Sequence, residues 1–275
     1  MVSFLKMSIL FALFSSLFIA TPALATPTAV QIDTIAGHRL ETITINPPDA
    51  KLCVVFENGS RATVDSWTGV IAALPPEVAV YAYNRPGYGS SEKTDTPRDG
   101  MTIVEELRRG LQQKGLKPPY VLVGHSLGGL YMQLFARRHP DEVAGMVLVD
   151  ALYPRVIKKP ENFPWWTRAV KQVFFSATVN EEINLIYQTG EEVAKLASID
   201  DKPIVQLINR PTDPTAVAVD FGVFDHDPKT VAYVKALYPS SKKIFVNSDH
   251  QMQKQSPVDV ADAIKTVIAS AVARR

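Results

Sequence analysis

This sequence has a single cysteine and almost no net charge. Its 275 residues include one cysteine, Cys53, and its 29 lysine and arginine residues nearly balance 28 aspartate and glutamate residues. A single cysteine excludes an intramolecular disulfide, and its place in the apolar run Leu52–Phe56 predicts a buried core thiol. The small net charge gives no general attraction for nucleic acid. Phosphate loops, dinucleotide fingerprints and zinc-ligand spacings are also missing, so we expect no cofactor and no metal.

One long apolar run is present, at the N-terminus. Met7–Ala20 is almost wholly apolar, and Ala23 and Ala25 occupy the two positions that a signal peptidase reads. This pattern predicts a signal peptide over residues 1–25, cleavage before Thr26, and a secreted or periplasmic protein with no stable membrane span. A membrane anchor is the alternative, but the run is shorter than the roughly 20 residues that a span needs.

Residues 26–275 have the length of a single α/β domain, and short apolar runs alternate there with helical patterns. Two segments, Ala29–Ile35 and Arg39–Ile45, alternate apolar and polar residues, as an antiparallel pair at a sheet edge does. Six later runs have the composition of strands covered on both faces: Leu52–Phe56, Val78–Tyr83, Tyr120–Val123, Gly145–Val149, Ile204–Ile208 and Lys243–Val246. Helical patterns separate several of them, most clearly at Thr102–Lys114 and Leu127–Arg138, so the sequence predicts a mostly parallel sheet flanked by helices.

The segment Gly124-His125-Ser126-Leu127-Gly128 lies between one of these strands and a helical pattern. A sharp turn at this place lifts the serine hydroxyl above the sheet edge, and flanking glycines leave room for the tight backbone. The following helix directs its first N–H groups and its positive dipole end toward an anion formed beside the hydroxyl. The pattern predicts a nucleophilic Ser126, with an ordinary glycine-rich turn as the alternative.

The sequence around this turn resembles the α/β-hydrolase fold superfamily. The motifs that carry the resemblance are Val54–Ser60 with Trp67, the loop Arg85-Pro86-Gly87-Tyr88-Gly89 after Val80–Asn84, the Gly-His-Ser-Leu-Gly-Gly elbow, and Ala144–Asp150. The resemblance implies the α/β-hydrolase fold, with a small helical cap inserted after the sixth core strand at roughly residues 153–202. Within this segment, Glu181–Ser198 has a helical pattern. Two departures are Asn58 where many relatives have histidine, which keeps the backbone donor after Gly59, and Asn84 where many have aspartate, which leaves the loop's hydrogen bonding open.

A serine hydroxyl needs a base to take its proton, and the chain has five histidines to supply one. His250 follows the last predicted strand and precedes the helix start Ser256-Pro257. The resemblance implies a base in this loop, after the serine in chain order. His125 is expected to point away from Ser126. The other three lie in an N-terminal turn (His38), at the end of the elbow helix (His139) and in an acidic loop (His226), so we predict that His250 is the base.

Two aspartates are candidates for orienting His250 and stabilising its positive charge. Asp150 ends the sixth predicted strand, Gly145–Val149, and Asp213 follows the seventh, Ile204–Ile208, when the two edge strands are counted. Relatives use either place, and we prefer Asp150, because it leaves a buried strand directly beside the elbow. The oxyanion hole needs two backbone N–H donors, for which we predict Leu127 and Ser60.

These residues predict a secreted serine hydrolase, similar to carboxylesterases, that cleaves small-molecule carboxylic esters through an acyl-enzyme on Ser126. The same machinery serves amides, including N-terminal proline peptides, and thioesters. A noncatalytic binding protein on this fold is the alternative from another class. Acyl length and oligomeric state are left open by the sequence.

Overall fold

The computed structural model describes residues 29–157, 159–162, 175–209 and 228–274. The predicted signal peptide, the predicted cleavage site before Thr26, and Asp213 lie outside these residues. The predicted cap, roughly residues 153–202, is described only in part.

A central sheet organises the described part of the chain, where it has eight strands. They are β1 (Gln31–Ile35), β2 (His38–Ile45), β3 (Cys53–Glu57), β4 (Ala79–Tyr83), β5 (Tyr120–His125), β6 (Val143–Val149), β7 (Ile204–Asn209) and β8 (Lys242–Val246). They lie in the order β1-β2-β4-β3-β5-β6-β7-β8, with the β1–β2 and β2–β4 pairs antiparallel and all others parallel. The predicted fold, an α/β-hydrolase sheet that is mostly parallel, is confirmed.

Helices cover both faces of this sheet. The described helices are α1 (Thr68–Ala72), α2 (Gly100–Gln113), α3 (Leu127–Arg138), α4 (Ala177–Lys195), α5 (Pro228–Leu237), α6 (Met252–Gln255) and α7 (Pro257–Ala273). Apolar residues of α2, α3 and α4 join one core cluster, and those of α1 and α7 join a second cluster across the sheet. Alternate residues of β5 enter opposite clusters, which explains why its sequence is apolar throughout. Among the described residues, no helix combines the length and apolar composition needed to cross a bilayer.

Among the helices that differ from the predicted pattern are α4 and α6. The helical run expected at Glu181–Ser198 begins at Ala177, because the Ser176 side chain accepts a hydrogen bond from the Val179 N–H and caps the helix there. The one-turn helix α6, immediately after His250, was not predicted. A single turn is too short to show the periodicity by which helices are recognised.

Candidate active site

Ser126 lies at the sharp turn between β5 and α3. Its backbone is in the left-handed region, with φ 51° and ψ −121°, a strained conformation for a residue with a side chain. A Cβ on Gly124 would lie 2.6 Å from the Gly128 carbonyl oxygen, and one on Gly128 would collide with the Glu57 carbonyl. The two glycines therefore allow the close approach of β5, α3 and the end of β3 that this turn requires.

The pairing of β5 with β6 places Asp150 beside the nucleophile. His125 is opposite Val149 in the parallel register, so the next residues, Ser126 and Asp150, leave the sheet side by side. The Ser126 N–H donates to the Val149 carbonyl at 3.1 Å, and the Leu152 N–H donates to the Ser126 carbonyl at 2.9 Å. Asp150 also has a positive φ, 42°. Backbone hydrogen bonds thus fix the position of the carboxylate relative to the serine.

Three of the predicted side chains form one hydrogen-bonded series. His250 Nδ1 lies 2.6 Å from Asp150 Oδ2, and His250 Nε2 lies 3.0 Å from Ser126 Oγ. A carboxylate can only accept, so Nδ1 carries the proton and the lone pair of Nε2 faces the serine hydroxyl. The Asp150 side chain is 17% exposed and that of His250 is 32% exposed. This geometry allows the imidazole to receive the serine proton.

The loop that carries Ser60 lies against the nucleophile. A Cβ on Gly59 would lie 3.0 Å from the Ser126 Cβ. Within the described residues, the backbone N–H groups of Ser60 and Leu127 donate no hydrogen bond, and the buried Ser60 hydroxyl has no partner. Unpaired donors next to a hydroxyl are what a developing oxyanion requires.

Asn58 and Asn84 hold this loop through side-chain hydrogen bonds. Asn58 Nδ2 donates to the Tyr83 carbonyl, and Asn58 Oδ1 accepts from Trp67 Nε1, both at 2.7 Å. Asn84 Oδ1 accepts from the Val64 N–H, also at 2.7 Å. The hydrogen bonding that the sequence left open at Asn84 is therefore formed by an amide, whose oxygen accepts from Val64 and whose Nδ2 donates to Glu41 Oε2.

A buried charge cluster, Glu57–Arg85–Glu182, lies behind the same loop and was missed by the sequence analysis. Arg85 Nη1 donates to Glu57 Oε1 at 2.6 Å and to the Asn58 carbonyl at 2.7 Å, while its Nε and Nη2 each donate to Glu182 at 2.9 Å. All three charged side chains are fully buried. Burial raises the pKa of Glu57, and the positive charge of Arg85 opposes this increase. One guanidinium thus connects the loop that carries Ser60 to α4.

His125 was expected only to point away from Ser126, but its side chain has a specific partner. It is completely buried, and its Nε2 lies 2.7 Å from the backbone carbonyl oxygen of His250. The pKa of His125 is lowered to about 3, mainly by burial and secondly by the charge of His250. Sequence spacing could not reveal this contact, because the two residues are 125 positions apart in the chain, with α3, β6, α4, β7, α5 and β8 between them.

Cys53 and the acidic and histidine side chains show no arrangement typical of metal or redox chemistry in the described ranges. Cys53 is buried, and burial raises the pKa of its thiol to about 12. Across those ranges, no group of three or more histidine, cysteine, aspartate and glutamate side chains could hold a metal ion.

Curated relatives resemble part of this chain. It is 31% identical over 130 residues to an AB hydrolase superfamily protein of Gibberella zeae, a match that covers 45% of this chain and 40% of the relative. It is 26% identical over 148 residues to the (lyso)-N-acylphosphatidylethanolamine lipase of Bos taurus, a match that covers 50% of this chain and 42% of the lipase. In other relatives the matched part is as little as 17% of the length. Hydrolases are therefore among the relatives, and the chain matches less than half of each.

The predicted secreted or periplasmic location is wrong by the same comparisons. A vacuolar membrane protein of Saccharomyces cerevisiae is 30% identical over 110 residues (38% of this chain), and a probable transporter of Hormonema carpetanum is 30% identical over 117 residues (39% of this chain). These relatives do not support secretion. The prediction relied on residues 1–25, which lie outside the described residues. An apolar N-terminal run is common to exported and membrane proteins, so it could not decide the location.

Solved structures share the fold over most of the chain. The thioesterase domain from the curacin biosynthetic pathway superposes with a TM-score of 0.63 at 15% identity, covering 86% of this chain and 99% of that domain. The profile of the alpha/beta hydrolase fold family matches residues 53–222, more than half of the sequence. The matched range contains the elbow, Asp150 and the buried charge cluster, and it leads to one conclusion: this chain belongs to the α/β-hydrolase fold family.

Proposed function

We propose that this protein is a serine hydrolase that cleaves carboxylic esters through an acyl-enzyme. Ser126 Oγ attacks the ester carbonyl while His250 Nε2 takes its proton, and the N–H groups of Leu127 and Ser60 donate to the oxyanion. When the tetrahedral intermediate collapses, His250 gives the proton to the departing alkoxide. Water, deprotonated by His250, then attacks the acyl carbon and releases the acid and the serine hydroxyl. Asp150 keeps Nδ1 protonated and stabilises the imidazolium.

One observation carries this proposal: the uninterrupted hydrogen-bonded series from Asp150 through His250 to Ser126, at 2.6 and 3.0 Å. A noncatalytic protein would have no need to hold a serine in a strained backbone at the end of that series. The similarity to a bovine lipase supports an ester as the substrate. The fold of the family also suggests a small molecule.

We further propose that residues 26–275 form one hydrolase domain and that α4 belongs to its cap. Two observations support this role for α4. It packs on α3, the helix of the elbow, and its Glu182 pairs with Arg85 behind the loop that carries Ser60. We propose that α4, so placed, helps to limit which acyl chains reach the nucleophile.

The experiment that tests the proposed function is labelling of the full chain with a fluorophosphonate, followed by peptide mapping and by assays with esters of graded acyl length. We expect a single adduct on Ser126 and ester turnover that is abolished by Ser126→Ala and by His250→Ala. The matched control is Ser90→Ala, which removes an exposed serine hydroxyl and should keep full activity. An absence of labelling, or more than a few per cent of activity in Ser126→Ala, would contradict the proposal.

A further inference from the structure

His125 is completely buried beside the proposed base, and the reaction proposed above gives it no part. Its Nε2 lies 2.7 Å from the backbone carbonyl oxygen of His250, and the two rings are 4.7 Å apart between centroids. On this geometry, and resting on the proposed function, we propose that His125 is a positioning residue: it holds the backbone of His250 at the distance from which the imidazole reaches Ser126.

The partners of His125 define its protonation. A carbonyl oxygen can only accept, so Nε2 carries the proton of a neutral ring. Nδ1 is then an acceptor, and Gln253 Nε2 faces it at 3.4 Å, a long hydrogen bond. Gln253 is itself buried and belongs to α6, the helix that follows His250. Both ring nitrogens of His125 are thus directed at the chain segment that carries the base.

The hydrogen bond between His125 and His250 is a second connection between the two chain segments that the Ser126–His250 hydrogen bond already joins. Ser126 Oγ and His250 Nε2 are 3.0 Å apart, and the preceding residue, His125, binds the main chain of His250. Because His125 ends β5, which pairs with a strand on each side, its hydrogen bond fixes the His250 loop to the centre of the sheet. An error of about 1 Å in the position of a reacting group costs up to about 100-fold in rate, so a second connection has a kinetic value.

The neutral ring is suited to this role for an electrostatic reason. During acylation His250 becomes an imidazolium, and its positive charge appears 4.7 Å from the His125 ring centroid. A lysine or arginine donor at this place would repel that charge. Burial favours the uncharged form of His125 and lowers its pKa, so the residue donates a hydrogen bond without opposing the charge of the base.

The test compares two substitutions of the same residue in the full chain. His125→Gln keeps an N–H donor close to the place of Nε2, whereas His125→Phe keeps a ring and removes the donor. We expect His125→Phe to lower kcat and the fluorophosphonate labelling rate by about 10- to 100-fold with KM changed by less than about two-fold. We expect His125→Gln to recover most of that loss. His139→Gln is the control, since His139 pairs with Glu105 away from the site.

Two results would overturn the inference: labelling at the wild-type rate in a folded His125→Phe protein, or an equal loss in His125→Gln. Should His125→Phe not fold, nitrogen-15 NMR of the wild-type ring decides, because we expect the neutral Nε2–H tautomer at pH 7 and an Nδ1–H tautomer would exclude the contact. Failure of the proposed function is distinguishable, since the wild type would then not be labelled at Ser126 while the His125 tautomer would stay as expected.

Discussion

Acid should destabilise this protein through one buried histidine, His125. In the folded state its pKa is lowered to about 3, first by burial and then by the charge of His250, whereas the ordinary pKa of a histidine is 6.5. Between these two pH values the unfolded chain binds a proton that the folded protein does not. The free energy of unfolding therefore falls by about 1.4 kcal/mol for each pH unit as the solution is acidified through this window.

The magnitude at an accessible pH follows from the same numbers. The contribution of His125 is fully present above pH 6.5 and is lost as the pH falls toward 3. At pH 4, about 2.5 pH units below the unfolded pKa, roughly 3 kcal/mol of stability is lost through this residue alone. Typical domains have a total of only about 5 to 15 kcal/mol, so the effect is large enough to measure.

Urea unfolding followed by tryptophan fluorescence, from pH 8 to pH 4, compares the wild type with His125→Gln. Carboxylates titrate in both proteins, so the difference between the two curves isolates His125. We expect a constant difference above pH 7 and a divergence of roughly 3 kcal/mol by pH 4, with the variant losing less. Parallel curves down to pH 4 would show that the folded protein protonates His125, and the reasoning from burial would be refuted.

The elbow and its strand were predictable from sequence because their signals are local. The helix predicted at Leu127–Arg138 has the same bounds in the structure, since its apolar spacing and the glycines before it are read within one segment. Asp150 was also placed beside Ser126 from sequence, because a residue that leaves a parallel strand next to the elbow must lie near it. Neither inference needed knowledge of distant contacts.

The contacts that support the site could not be predicted in this way. Glu182 lies on α4, where a glutamate fits the polar face of an amphipathic helix, and only the docking of α4 onto Arg85 makes it buried. The hydrogen bond from His125 is accepted by the main-chain carbonyl of His250. Every residue has such a carbonyl, so the sequence does not indicate which one accepts. Sequence patterns report periodicity along one element, whereas both contacts depend on how separate elements meet.

Three substitutions around Ser126 test the remaining parts of the site. Asp150→Asn keeps the shape but loses the charge that favours the imidazolium, so ester turnover should fall by on the order of 10⁴, and near-normal turnover would move the role to another acid. Ser60→Ala keeps the backbone donor and should cost less than about 10-fold in kcat, while a loss of 100-fold or more would assign the oxyanion contact to the unpaired hydroxyl. Glu182→Gln concerns the buried charge cluster. The Glu182 carboxylate accepts from Arg85 Nε and Nη2 and from the Tyr88 hydroxyl, and an amide of the same size cannot accept all three. With each hydrogen bond to a charged group contributing about 1.5 to 3 kcal/mol, we expect Glu182→Gln to lower the free energy of unfolding by roughly 2 to 4 kcal/mol in urea. The neighbouring exposed Glu181→Gln, which keeps its acceptor for the Arg98 N–H, should change it by less than about 0.5 kcal/mol. Equal stabilities for the two variants would mean that the cluster holds Arg85 through Glu57 alone, and that α4 docks on the core without its carboxylate.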